Sequence, residues 1–236
     1  MSSSFSRTRL AAVVLPALIL PFFGCLLYYG PLLGTPSGTI AYTITKIFTV
    51  AWPLVATAYL LGGLRLKERI GRFRDHFGSL SFGLTTGLVI AALGVLAFFF
   101  TPIGAAARAE SDQLREAIEK FGVMEHYWLF AIFIAVVHSL IEEIYWRWFV
   151  FGGLRKLVPL PAAHGIAALG FTAHHVLVLH QFFPSGLAWL LSSMVAVGGL
   201  IWTWSYQRQR SLAGIWLSHG LVDLGIMILG WLILKG

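Results

Sequence analysis

The stretch HSLIEEIYWRW, residues 138–148, places two adjacent glutamates and an arginine inside an apolar segment. That segment covers about residues 127–151, which is long enough to cross a bilayer, since a spanning helix needs roughly 20 apolar residues. A charge in the bilayer core costs about 2.5–3.5 kcal/mol on insertion scales, so a chain keeps it where it is paired, lines a wet cavity or takes part in chemistry. The roles of Glu142, Glu143 and Arg147 therefore decide how the rest of the sequence is interpreted.

The composition predicts a membrane protein. Of 236 residues, 58% are hydrophobic and 11% are charged, whereas soluble domains carry about 25% charged residues. We expect an all-α integral membrane protein, a single bundle of about seven transmembrane helices that forms one polytopic domain over residues 1–236. The net charge of +7 is typical of basic cytoplasmic loops, and no nucleic-acid partner is predicted. One cysteine, Cys25, excludes an intramolecular disulfide.

Seven apolar segments follow one another along the chain. The turn signal Phe183-Pro184-Ser185-Gly186 divides the long uncharged stretch between Leu157 and Gln207 into two spans. The predicted spans are about 10–30, 39–63, 80–104, 127–151, 161–182, 185–206 and 211–234. Between the third and fourth spans, residues 105–126 form an acidic, helix-like connector in which Leu114, Ile118 and Phe121 share one stripe.

The basic residues of the loops predict the orientation. They cluster before span one and after spans two, four and six, which places the N-terminus in the cytosol and the connector on the other side. These residues are Arg7, Arg9, Arg65, Lys67, Arg69, Arg72, Arg74, Arg155, Lys156, Arg208 and Arg210. A bacterial plasma membrane is the expected location, and an endoplasmic reticulum membrane fits the same pattern.

Helical geometry separates the two glutamates. Residues four apart share a helix face, so Glu143 and Arg147 are predicted to form an ion pair that supports the structure. Glu142 points about 100° away and has no such partner. His138 lies one turn before Glu142 on the same face. A second intramembrane carboxylate needs partners of its own.

Spans five and seven supply candidates for those partners. His219 and Asp223 are four residues apart in span seven, and Phe171 and His175 are four apart in span five, where His174 points elsewhere. The estimated depths of Glu142, His175 and His219 bring them together in a pocket that opens toward the cytosol. Lys46 in span two is expected to have a structural role, with its long stem reaching toward an interface.

One carboxylate and two imidazoles in such a pocket suit the activation of water. Glu142 would take a proton from a water held by His175 and His219. In an alternative, Glu142, His175 and His219 bind zinc with water as the fourth ligand, although neither HExxH nor HxxEH occurs in the chain. Asp223 would donate to an oxyanion only when protonated, and would otherwise orient His219 or the water.

Three motifs resemble those of the CAAX-protease and bacteriocin-processing family, also called the Abi family. EExxxR corresponds to Glu142–Arg147, FxxxH to Phe171–His175 and HxxxD to His219–Asp223. The motifs occur in order on three separate spans, and the resemblance covers about residues 127–225. This segment is the predicted catalytic core.

The resemblance implies an intramembrane glutamate endopeptidase that needs no cofactor. Glu142 would activate water, with assistance from His175 and His219. Asp223 takes the position that the family links to oxyanion stabilisation. The chain is similar to the family's eukaryotic branch, the enzyme that removes the last three residues of prenylated CAAX proteins. A membrane-associated peptide or protein, prenylated or not, is the expected substrate and the lipid bilayer the expected environment. The chain departs from the eukaryotic branch in having seven spans rather than eight, and Asp223 where Asn also occurs.

Two other classes of function use the same polar residues. A non-catalytic bacteriocin-immunity or regulatory protein would use them to hold its helices together. A proton or ion carrier would use Glu142, Asp223 and the histidines as a relay. The sequence has no obvious inverted repeat, which counts against a carrier.

Overall fold

A computed structural model describes residues 7–60 and 73–235, with side chains for 7–58 and 77–235. Within these ranges the chain forms helices and no strand, as the sequence predicted. The predicted orientation rests partly on basic residues that lie outside the described residues. These are Arg65, Lys67, Arg69 and Arg72, and the side chain of Arg74 is also outside the description.

Nine helices make up the described part of the chain. Seven of them are long and apolar enough to cross a membrane, which confirms the predicted bundle of seven spans in an integral membrane protein. The helices are α1 (Arg7–Tyr29), α2 (Pro36–Ala58), α3 (Phe73–Phe100), α4 (Pro102–Ala109), α5 (Ser111–Lys120), α6 (Met124–Leu157), α7 (Leu160–Phe182), α8 (Ser185–Gln209) and α9 (Leu212–Lys235).

Local sequence signals set several of the helix ends. The Thr35 hydroxyl accepts a hydrogen bond from the Gly38 amide at 3.1 Å, and Pro36 occupies the first position of α2, where a missing amide proton costs nothing. Thr101 and Pro102 begin α4 in the same way. The predicted break between spans five and six is confirmed, because α7 ends at Phe182 and α8 begins at Ser185.

Small residues bring α3 and α9 into close contact. Ser79, Gly83 and Gly87 follow one another at four-residue spacing on α3, and a Cβ atom on Gly83 would meet the backbone of Gly214 on α9. Glycines and serines at this spacing let two membrane helices approach at their backbones. The hydroxyls of Thr86 and Ser218 are also hydrogen-bonded across this interface, at 3.1 Å. The contact fixes the position of α9 and therefore of His219.

Aromatic side chains join α1 and α2 to each other and to α6 at Tyr145. The Tyr145 hydroxyl donates to the Ala17 carbonyl at 2.6 Å, and the Trp52 indole donates to the Val13 carbonyl at 3.0 Å. Lys46 lies near the middle of α2, with its ammonium 5.5 Å from the centroid of the Tyr42 ring. These contacts attach α1 and α2 to α6 around Tyr145, which lies between Glu143 and Arg147 in sequence.

The connector between α3 and α6 packs across the ends of the spanning helices. Leu114 and Ile118 are buried, and the Phe121 ring lies 6.1 Å from that of Tyr29 on α1 and 6.0 Å from that of Phe182 on α7. The predicted apolar stripe is therefore the face by which this segment attaches to the bundle. Its location on the non-cytosolic side stays a prediction.

Candidate active site

Helix α6 alternates between ordinary and widened turns around the glutamates. Residues Ile134–His138 and Glu143–Phe151 form wider turns of the π type, and Ser139–Glu142 between them are α-helical. Widened turns in α-helices occur frequently at functional sites. The helix also continues to Leu157 instead of ending near residue 151, so Glu142 lies near the middle of a 34-residue helix.

The Glu142 carboxylate is surrounded by imidazole groups. Its Oε1 atom lies 3.3 Å from His174 Nε2 and 3.4 Å from His138 Nε2, and its Oε2 atom lies 3.7 Å from His219 Nε2. These histidines come from α6, α7 and α9, and Glu142 is 7% exposed. A buried carboxylate needs hydrogen-bond donors or a nearby positive charge, and the imidazoles are placed to supply both.

Glu143 has the predicted ion pair and a second contact. Arg147 Nη1 lies 3.0 Å from Glu143 Oε1, and both side chains are fully buried. The same oxygen lies 2.7 Å from His219 Nδ1 on α9. Because a carboxylate only accepts hydrogen bonds, we assign the proton to His219 Nδ1. Glu143 therefore connects the buried ion pair to the histidine of span seven.

Aromatic rings enclose the Arg147 guanidinium, whose central carbon is 4.4 Å from the centroid of the Phe171 ring and 5.1 Å from that of Trp202. Planar guanidinium groups stack favourably on aromatic faces. Phe171, the first residue of the FxxxH motif, thus packs against the arginine of EExxxR and also lies 5.9 Å from the His219 ring. The motifs are in physical contact.

Trp202 holds the His219 ring in place. The two rings stack with centroids 4.1 Å apart and an interplanar angle of 23°. The Trp202 indole donates to the Ser218 hydroxyl at 3.1 Å, which fixes the orientation of the tryptophan. With Nδ1 held by Glu143, the free Nε2 atom of His219 faces Glu142 and Asp223.

The two adjacent histidines of α7 have different partners. His175 Nδ1 lies 2.7 Å from the Phe171 carbonyl, so Nδ1 carries the proton and Nε2 is left as an acceptor or metal ligand. His174 stacks on Trp146 at 5.7 Å, with an interplanar angle of 5°, and contacts Glu142 through Nε2. His174 is thus the α7 histidine in contact with the carboxylate, while the motif spacing had pointed to His175.

A group that suits a metal ion also forms here. One ligand atom each from Glu142, His174 and His175 lies within 4.8 Å of the others, and zinc commonly takes imidazole nitrogen and carboxylate oxygen ligands. Among the described residues, the possible metal ligands differ by one histidine from those inferred from the sequence. The structure groups His174 with Glu142 and His175, whereas the sequence alternative had His219 in its place.

Asp223 lies at the edge of the cluster, with Oδ1 3.6 Å from His219 Nε2. That distance is longer than a hydrogen bond. The carboxyl group is therefore beside the Glu142 cluster without being hydrogen-bonded to the imidazole, and its part in oxyanion stabilisation stays a prediction.

The sequence predicted that Glu142, His175, His219 and Asp223 lie near one another. It did not predict the contact of Glu143 with His219 or the role of Trp202. The contact between Glu143 and His219 joins separate helices, so no spacing within one helix reveals it. Trp202 carries no motif signal. His138, in contrast, was marked by its four-residue spacing from Glu142.

Comparison with known families gives one match. Residues 124–225 match the family model described as type II CAAX prenyl endopeptidase Rce1-like. Searches of curated proteins and of solved structures returned no match. The matched segment contains all of α6, α7 and α8 and the part of α9 that carries His219 and Asp223. The segment that builds the Glu142 cluster thus matches the model of a protease family, the Rce1-like CAAX prenyl endopeptidases, and this agrees with the resemblance of its three motifs.

Proposed function

We propose that the protein is an intramembrane endopeptidase that hydrolyses a peptide bond with a water molecule activated by Glu142. The observation that carries the proposal is the meeting of α6, α7 and α9 at one carboxylate, with three imidazoles within 3.7 Å of its oxygens. A base held in this way suits general base catalysis, for which geometry is the first requirement.

The reaction needs only water and the substrate. Glu142 accepts a proton from the water as the water oxygen bonds to the peptide carbonyl carbon, which gives a tetrahedral intermediate. The intermediate collapses as the C–N bond breaks, and the proton held by Glu142 passes to the departing amine. One carboxylic acid, which then loses its proton to water, and one amine result, and Glu142 is again ionised.

The surrounding residues position these steps. His175 accepts a hydrogen bond from the water through Nε2, which is free because Nδ1 is bound to the Phe171 carbonyl. His219, fixed by Glu143 and Trp202, holds the water from the α9 side, and His174 holds the Glu142 carboxylate. Asp223 in its protonated form donates to the developing oxyanion. Glu143 and Arg147 give structural support.

A metal-assisted route is the mechanistic alternative. Glu142, His174 and His175 have the donor types and proximity to hold zinc, which when bound would lower the pKa of a bound water and polarise the carbonyl. We favour the route without a cofactor. Activity that persists after extensive treatment with a strong chelator is the expected result, and inhibition that zinc alone reverses would contradict it.

The proposed substrate is a membrane-associated protein, with prenylated CAAX-type proteins as the first class to test. The family model that matches residues 124–225 implies such a protease, and a site built from membrane-spanning helices suits a substrate that is itself held at the bilayer. The proposed location is the bacterial plasma membrane with the N-terminus in the cytosol.

The proposal is tested with purified protein in liposomes and a library of farnesylated and unmodified peptides. We expect Glu142→Gln to lower the cleavage rate at least about 100-fold, the usual contribution of a general base. His175→Gln and His219→Gln should also lower kcat. His180→Gln is the matched control, because His180 is on α7, bonds to its own backbone as His175 does, and lies outside the cluster.

Cleavage that continues at the wild-type rate with Glu142 replaced would contradict the proposal. So would a cellular phenotype that tolerates replacement of Glu142, His175 and His219, because such insensitivity is the behaviour of a non-catalytic immunity or regulatory protein.

A further inference from the structure

A second site lies along the outside of α1, separate from the Glu142 cluster. A groove of about 450 Å³ runs between α1, the end of α6 and the first half of α7. Its walls are apolar apart from Arg7 and Thr8 at one end, and they include Ala11, Leu15, Leu18, Leu154 and Ile166. The groove thus has a polar mouth and a long hydrophobic body, which is the shape of an amphiphile.

Arg7 is held at the mouth of the groove. Its Nη2 atom donates to the Leu157 carbonyl at 2.7 Å, which fixes an exposed side chain against the end of α6. A guanidinium has five N–H donors, so this contact leaves others for a ligand. Arg9, Arg155 and Lys156 are near Arg7 or Leu157 in sequence, and the mouth is therefore the basic end of these helices.

We propose that the groove binds one anionic phospholipid, with its phosphate at Arg7 and an acyl chain along Ala11, Leu15 and Leu18. Basic pockets between membrane helices recognise anionic head groups, and a single cation near the surface favours them measurably over neutral lipids. The apolar body offers no polar group to a peptide backbone, and such groups are costly to leave without partners in a membrane. An acyl chain has no such requirement.

The inner end of the groove stops short of the active site. Leu18 and the Trp146 ring both lie against Gly170 on α7, and Trp146 stacks on His174. A chain in the groove would therefore end at Leu18, with Gly170 and Trp146 between it and His174. The bound lipid is a structural ligand and not the molecule that is cleaved, so its binding does not depend on the proposed hydrolysis.

The test is native mass spectrometry of the purified protein with phosphatidylglycerol or phosphatidylcholine. We expect one phosphatidylglycerol to bind in preference to phosphatidylcholine, and Arg7→Gln to weaken its binding about fivefold, the effect of losing one cation at an anionic head group. Ala11→Trp should fill the groove and remove the binding of both lipids. If Ala11→Trp does not fold, the Arg7 variant alone decides.

Two matched controls separate the groove from the general surface. Ala12→Trp adds the same ring at the next residue, which is exposed and does not line the groove. Arg208→Gln removes an exposed cation whose guanidinium is engaged with the Trp204 ring. Both variants should bind phosphatidylglycerol as the wild type does.

The proposal would be overturned if the two lipids bind equally. It would also be overturned if Arg7→Gln leaves the binding of phosphatidylglycerol unchanged. Displacement of phosphatidylglycerol by a farnesylated peptide with no effect of Arg7→Gln would also overturn it, because the groove would then be a prenyl site.

Discussion

At the residue scale, two neighbouring glutamates have different environments because a helix turns about 100° per residue. Glu142 faces His138, His174 and His219, whereas Glu143 faces Arg147 and the other nitrogen of His219. The four-residue spacing was sufficient to predict the ion pair of Glu143 and Arg147. It was not sufficient to predict that His219 bridges the two carboxylates, because that contact depends on how α9 is placed against α6.

Arg147 is expected to matter for stability. Arg147→Met leaves Glu143 buried without its cation, and breaking a buried pair in this way costs about 3–5 kcal/mol in soluble proteins. Thermal unfolding in nanodiscs should show a large loss of stability, with Arg208→Met, an exposed arginine, as the control. An unchanged unfolding temperature for Arg147→Met would show that the pair does not support the fold.

Trp202 is expected to act as a positioning residue for His219. Trp202→Leu removes the ring that stacks on the imidazole, and a small displacement of a catalytic group can lower the rate by about 100-fold. We expect kcat to fall at least about tenfold with little change in KM, and Trp202→Phe to restore part of it. Trp204→Leu, on the exposed face of the same helix, is the control, and an equal effect of both leucine variants would contradict the assignment.

At the element scale, helix α6 departs most from what the sequence predicted. Its existence and apolar character followed from composition, but the widened turns at Ile134–His138 and Glu143–Phe151 did not. A π turn leaves no pattern in the spacing of apolar residues, because its effect is local and depends on neighbouring helices. His174 was missed for a different reason, because the FxxxH spacing pointed to its neighbour His175.

The contact between α3 and α9 should control the site from a distance. Gly83→Val forces a side chain into the backbone of Gly214 and should displace α9, so both stability and cleavage should fall. Gly94→Val is on the same helix, where a Cβ atom meets nothing within 4 Å, and it should behave as the wild type. The thermal stability and cleavage rate of the two variants give the comparison, and equal behaviour would exclude this role for the interface.

At the scale of the whole molecule, the sequence predicted the number of spans and the break at Pro184, because both depend on local hydrophobicity and turn chemistry. It also predicted that span seven meets the glutamates, since His219 and Asp223 are costly in a membrane without polar partners. The length of span four was underestimated, because α6 continues through Arg155 and Lys156 to Leu157. Which face each helix presents depends on packing, and one sequence does not contain that information.

Hydrolysis in water enriched in oxygen-18 tests the central claim most directly. A peptide that wild-type protein cleaves in liposomes is incubated in this water with the protein in excess, so that each molecule turns over once. The new carboxyl terminus is analysed by mass spectrometry. Direct attack by a water activated by Glu142 predicts one heavy oxygen in that carboxylate for the wild type and almost no cleaved product for Glu142→Gln. Cleaved product without the label, or labelled product formed at the wild-type rate by Glu142→Gln, would contradict the account.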